Sequence, residues 1–122
     1  MDVAPIQEEL FRLERLLRRC RFRFSNEAAL QAQITEALTR LGEPHKREHQ
    51  LGTVGRIDFL VGRVGVEVKV RGATSEIGWQ LLRYAEHQDI DGILLVTAKA
   101  RHTELPPRMN DKPLRVYHLL QL

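Results

Sequence analysis

Cysteine is nearly absent. The single residue Cys20 excludes an internal disulfide and any cysteine-built zinc site, which fits a reducing compartment. Cys20 itself reads as a packed helix residue. Long apolar runs are also missing: nothing approaches the roughly eighteen consecutive apolar residues of a membrane span. The opening MDVAPIQEELFRLERLL carries charges where a secretory signal needs an apolar stretch. Both absences predict a soluble, cytoplasmic protein with no membrane partner. Serine occurs only at 25 and 75, each at an expected helix start, so a serine hydrolase has no support. The five histidines, at 45, 49, 87, 102 and 118, form no HExxH, and neither GxxxxGK[ST] nor GxGxxG occurs. The lone tryptophan, Trp79, reads as packing or a cation-π contact and not as a platform for bases.

What the chain has in quantity is arginine, 15 of its 19 basic residues, with a formal net charge of +3. The planar guanidinium donates paired hydrogen bonds to phosphate, so this bias points toward an anionic partner without proving one. At 122 residues, 43% hydrophobic, the chain suits one domain with a real core and is too short for two.

Apolar residues at Ile6, Leu10, Leu13 and Leu17 recur at spacings of three and four and predict an amphipathic helix to about Cys20. Arginines at 12, 15, 18, 19, 21 and 23 suit either a phosphate backbone or a solvated, ion-paired face. Ser25 or Asn26 caps a second helix to Leu41, with the stripe Leu30, Ile34, Leu38 and Leu41 turned to a core and Gly42 and Pro44 as stops. Strands are predicted at 45–51, 56–61, 64–70 and 92–97, a helix at 75–88, a proline-marked loop at 105–113 and a last strand at 114–120. The fold class is therefore α/β. A three-strand meander and a helical crossover make a mixed sheet flanked by helices, with an extra N-terminal helix and a C-terminal strand. Residues 1–24 form an arginine-rich helical extension, 25–98 the core, and 99–122 a C-terminal loop and strand.

The chemistry concentrates in two of these strands. Val64, Val66, Val68 and Val70 alternate to one face, and Gly65, Glu67 and Lys69 to the other. If Gly62-Arg63 makes a two-residue hairpin turn, Asp58 falls directly opposite Glu67. Opposed like charges destabilise a strand pair, and a hard divalent cation with oxygen ligands relieves them. The preceding helix offers Glu27 and Glu36 as a third carboxylate. Nine residues at about 100° each separate them by roughly 180°, so Glu27 lies on the apolar stripe and Glu36 away from it. A first-turn glutamate also interacts favourably with the helix N-terminus, and both readings of Glu27 stay open.

RID at 56–58, nine residues from Asp58 to Glu67, and EVK at 67–69 together resemble the signature of the PD-(D/E)XK nucleases, the restriction-endonuclease-like superfamily. NEAALQ at 26–31 resembles the helical glutamate motif of its RecB-like and archaeal Holliday junction resolvase-like branch, and QLLRY at 80–84 the glutamine–tyrosine motif of RecB-like members. The resemblance covers about residues 25–98 and departs at Ile57, where the family name expects proline. It implies an αβββαβ core and a small endonuclease that hydrolyses DNA phosphodiesters with Mg²⁺ or Mn²⁺, held by Asp58, Glu67, the Val68 carbonyl and Glu27. Lys69 would orient the attacking water, Gln80 would complete the catalytic set, and Arg56, Arg71, Arg83 and Tyr84 would contact DNA. By analogy with small resolvase-like members, a homodimer and branched DNA are expected. A non-catalytic DNA-binding or assembly module on the same fold is the alternative.

Overall fold

The computed structural model describes the backbone of residues 3–120 and the side chains of residues 5–120, so the outer bounds of both flanking segments lie outside the described residues. Two helices, α1 (Val3–Arg18) and α2 (Glu27–Arg40), precede the strands β1 (Lys46–Gln50), β2 (Arg56–Val61) and β3 (Val64–Lys69). Then come α3 (Thr74–Ala85), β4 (Gly92–Thr97), a 3-10 helix at Ala100–Glu104, β5 (Arg108–Met109) and β6 (Lys112–His118). No helix among the described residues is long and apolar enough to cross a membrane.

The six strands form one mixed sheet in the order β1-β2-β3-β4-β6-β5. β1, β2 and β3 run antiparallel as a meander, and β4 and β6 join parallel to β3. The carboxyl ends of β3, β4 and β6 thus share one edge of the sheet. Leu10, Leu13 and Leu17 of α1 and Leu30, Ile34 and Leu38 of α2 cover one face, meeting Val64, Val66 and Val68. Ile77, Leu81, Tyr84 and Ala85 of α3 cover the other face, against Ile57, Ile93 and Leu95. Each fully buried leucine contributes about 1.5–3 kcal/mol, so the stripes read from spacing are what hold the helices on the sheet.

Local signals set most boundaries, with some corrections. Asn26, not Ser25, caps α2: its Oδ1 accepts from the Ala29 N–H at 2.8 Å, worth about 1 kcal/mol. α1 begins at Val3 instead of Ile6, and α3 stops at Ala85, three residues before the predicted end. The segment expected to be loop at 105–113 contains β5 and the start of β6. Asn110 (φ 49) and Asp111 (φ 61) occupy the left-handed region as a two-residue turn, and Met109 pairs with Lys112. Asn and Asp tolerate that conformation, so this pair makes a hairpin despite the flanking prolines.

Candidate active site

The β2–β3 hairpin has the expected register, Val61↔Val64, Leu60↔Gly65 and Phe59↔Val66, around Gly62 at φ 60. One step further, Asp58 falls opposite Glu67, and there the backbone ladder gives way to side chains. The Asp58 N–H donates to Glu67 Oε1 at 3.1 Å, and the Val68 N–H donates to Asp58 Oδ2 at 2.8 Å. Each carboxylate therefore binds the other residue's strand. The cause lies one residue back. Ile57 packs with the α3-side core and Phe59 with the opposite core, so alternation breaks at Asp58. Gly65 makes the crossing possible, since a Cβ there would sit 2.4 Å from Ile57 Cδ1 and 2.9 Å from Ile90 Cδ1. Ile57 is thus a core residue, buried against the α3 side of the sheet.

Glu67 is 3% exposed, and Lys69 Nζ lies 3.5 Å from its Oε2. Burial, then the neighbouring Asp58 charge, push the Glu67 carboxyl up to about 8, against partial relief from Lys69. Asp58 is also raised, first by burial, and held back by the Val68 N–H. Burial and mutual proximity thus favour a proton held between the two carboxyls over two free charges. N–H and C=O of a strand residue leave on the same side, so the Val68 carbonyl faces Asp58 as well.

Glu27 is half-buried and Glu36 exposed, as the helical spacing predicts. The Glu27 carboxylate nevertheless does not join the pair. Its Oε1 accepts from the Val70 N–H at 3.2 Å, beyond the end of β3. Among the described residues no group of three or more His, Cys, Asp or Glu side chains could hold a metal ion. The expected ligand set is corrected accordingly: Asp58 and Glu67 come together beside Val68, and Glu27 stands apart on the Val70 N–H. Sequence reasoning missed Gln31, which lies one turn after Glu27 and whose side chain helps to hold down the Asp58 pKa. The i,i+4 spacing was its only signal. It also missed Glu48, which faces Asp58 in the β1–β2 register with φ 52, a left-handed conformation inside a strand.

Gln80 Nε2 donates to the Tyr84 hydroxyl at 2.8 Å, and that hydroxyl donates to the Arg56 carbonyl at 3.0 Å. Tyr84 is 3% exposed, so the expectation that it touches DNA is corrected; its ring is core and its hydroxyl ties α3 to the start of β2. Burial, with the charge of Glu67, raises its phenol to about 12. Arg56, Arg71 and Arg83 are exposed, Arg56 with Glu48 at 4.0 Å. A buried histidine fixes the loop after Lys69. His102 Nε2 bonds the Gly72 carbonyl at 2.9 Å, and His102 Nδ1 bonds Thr97 Oγ1. Compared with known proteins, the chain matches no model of a protein family, no curated sequence and no solved structure.

Proposed function

We propose that the chain is a Mg²⁺- or Mn²⁺-dependent DNA nuclease of the PD-(D/E)XK type, with α2, β1, β2, β3, α3 and β4 as its catalytic core. The crossed carboxylate pair carries this reading: Asp58 and Glu67 lie side by side where the β2–β3 ladder ends, with Lys69 3.5 Å from Glu67. A purely structural strand pair gains nothing from setting a buried carboxylate beside a half-buried one, where burial raises both and the Asp58 charge raises Glu67 further. A hard divalent cation, which takes one or two carboxylates and completes its shell with water and phosphate, fits this donor set.

Asp58 and Glu67 would hold the ion with the Val68 carbonyl, and Gln31 and the Val68 N–H orient Asp58. When bound, the ion polarises a phosphoryl oxygen and acidifies a water. Lys69, 3.5 Å from Glu67, would orient an attacking water and offset charge developing on the phosphate. Gln80 is held by Tyr84 on the helix that covers this face. Glu27, on the Val70 N–H, acts on the site through the backbone that follows Lys69. Branched DNA, a homodimer and a cytoplasmic location rest on the resemblance and on composition, and they remain part of the proposal on those grounds.

The test is cleavage of plasmid, linear, single-stranded and four-way-junction DNA with Mg²⁺ or Mn²⁺. Wild type is expected to cut at least one of these, and Lys69→Ala to lose about a hundredfold or more in rate while folding and DNA affinity persist. Full turnover by Lys69→Ala removes the lysine from the mechanism. DNA binding by wild type without cleavage by either metal supports the non-catalytic module instead.

A further inference from the structure

The catalytic reading leaves the arginine-rich link between α1 and α2 without a role. A cleft of about 650 Å³ opens beside it, walled by Arg21, Phe22 and Arg23 and, from the end of β6, by Tyr117, His118 and Leu120. Among the described residues no aspartate or glutamate lines this cleft. Arg18 at its back is engaged, paired with Glu14 at 2.9 Å and lying 4.5 Å from the centre of the Tyr117 ring. Arg21 and Arg23 are exposed, and their guanidiniums have no carboxylate partner among the described residues.

The wall is a built surface. Gln33 of α2 brackets Arg23, accepting its N–H at 2.8 Å and donating to its carbonyl, and Phe22 packs partly against the core beneath α1 and α2. Its position relative to the carboxylates follows from the sheet. Lys69 pairs with Thr97 and Thr97 with His118, so the three form a row across β3, β4 and β6. At about 4.8 Å per strand, the backbone of His118 lies roughly 10 Å from that of Lys69. Along the shared edge, Arg71 follows β3 and Arg101 follows β4, both exposed. Arg23 is also four residues ahead of Glu27, whose carboxylate rests on the Val70 N–H. Site and cleft therefore lie at the same edge of the sheet.

We propose that this cleft holds a single-stranded flank of the DNA substrate, Arg21 and Arg23 taking phosphates and the half-buried Phe22 ring taking a base. A groove that combines unpaired cations with an aromatic ring suits a single strand, whose bases expose their faces, whereas a duplex hides them. That the flank continues from a scissile phosphate rests on the nuclease reading; the affinity of the cleft does not.

The experiment measures binding of a labelled oligo-dT and of a hairpin duplex to the full chain in EDTA, where turnover is absent, across a salt series. The double variant Arg21→Ala/Arg23→Ala should lose about tenfold or more in single-strand affinity, and its slope of log K against log salt should shrink by about 1.4, near 0.7 for each phosphate contact. Phe22→Leu keeps apolar volume and loses the ring. It should weaken the single strand about fivefold or more, at an unchanged salt slope, and spare the duplex. Absent single-strand binding by wild type, wild-type affinity in the arginine variant, or equal loss on duplex and single strand in Phe22→Leu would each overturn the proposal. Should Phe22→Leu fail to fold, the arginine variant and the strand preference of wild type still decide. The two readings fail separately. Tight binding in EDTA without any cleavage in Mg²⁺ sinks the nuclease and spares the cleft, and cleavage with wild-type binding by the arginine variant does the reverse.

Discussion

Glu67→Gln tests the carboxylate pair without any assay of activity. Glu67 is 3% exposed, beside Asp58, and its carboxyl ionises at about 8 instead of 4.5. Between these values the folded protein holds a proton that the unfolded chain has released. Stability therefore falls as pH rises through this window, by up to about 1.4 kcal/mol per pH unit, and levels off above it. Glutamine keeps an oxygen to accept the Asp58 N–H and does not titrate. It also turns an amide toward Lys69, where Oε2 lay 3.5 Å away. Near pH 5, where Glu67 carries its proton and meets Lys69 as a neutral group, that loss costs roughly 1 kcal/mol. In EDTA the variant should be the less stable protein near pH 5 and the more stable one near pH 8, with a relative swing on the order of 2 kcal/mol or more. For 122 residues, 1 kcal/mol corresponds to about 4 °C in Tm, so the swing is roughly 8 °C. Thermal unfolding followed by circular dichroism across pH reads it directly. Saturating Mg²⁺ should raise the Tm of wild type at high pH and erase the advantage of the variant, since an ion at about 100 times its Kd adds about 2.7 kcal/mol. A difference in Tm that does not change with pH would refute the coupled-pair reasoning.

Glu27→Ala removes the acceptor of the Val70 N–H and should lower DNA cleavage by about tenfold, or roughly 1.4 kcal/mol of transition-state stabilisation, while Glu36→Ala stays nearly silent; the reverse result in matched cleavage assays would put the other face of α2 at the site. Gly65→Ala drives a methyl group into the Ile57 and Ile90 side chains at 2.4 and 2.9 Å. It should cost about 1–3 kcal/mol in urea unfolding, and Ile57→Val, which removes the nearest methyl, should recover part of that loss. An unstrained Gly65→Ala protein would show that the hairpin turns for another reason.

The signals legible in the sequence are the short-range ones. Alternation along 64–70 separated the valines from Glu67 and Lys69, a two-residue turn at Gly62-Arg63 set the register that faces Asp58 with Glu67, and helical arithmetic separated Glu27 from Glu36. Each depends on backbone geometry that repeats over two to four residues, so a single chain suffices to read it. Tertiary structure decided the rest. Tyr84 is buried because α3 covers the sheet and sets its ring against Gly55, the loop residue before β2, where an added Cβ would come 3.0 Å from the ring. Glu27 serves the Val70 N–H, and Gln31 takes Asp58, because of where α2 crosses β3. Parallel pairing of β6 with β4 brought His118 into the row of Lys69, and with it the Arg21–Arg23 cleft to the same edge. These contacts join residues distant in sequence, and no local periodicity encodes them. The raised pKa of Glu67 belongs with them, since burial and a neighbouring charge exist only once the sheet and its covering helices have assembled.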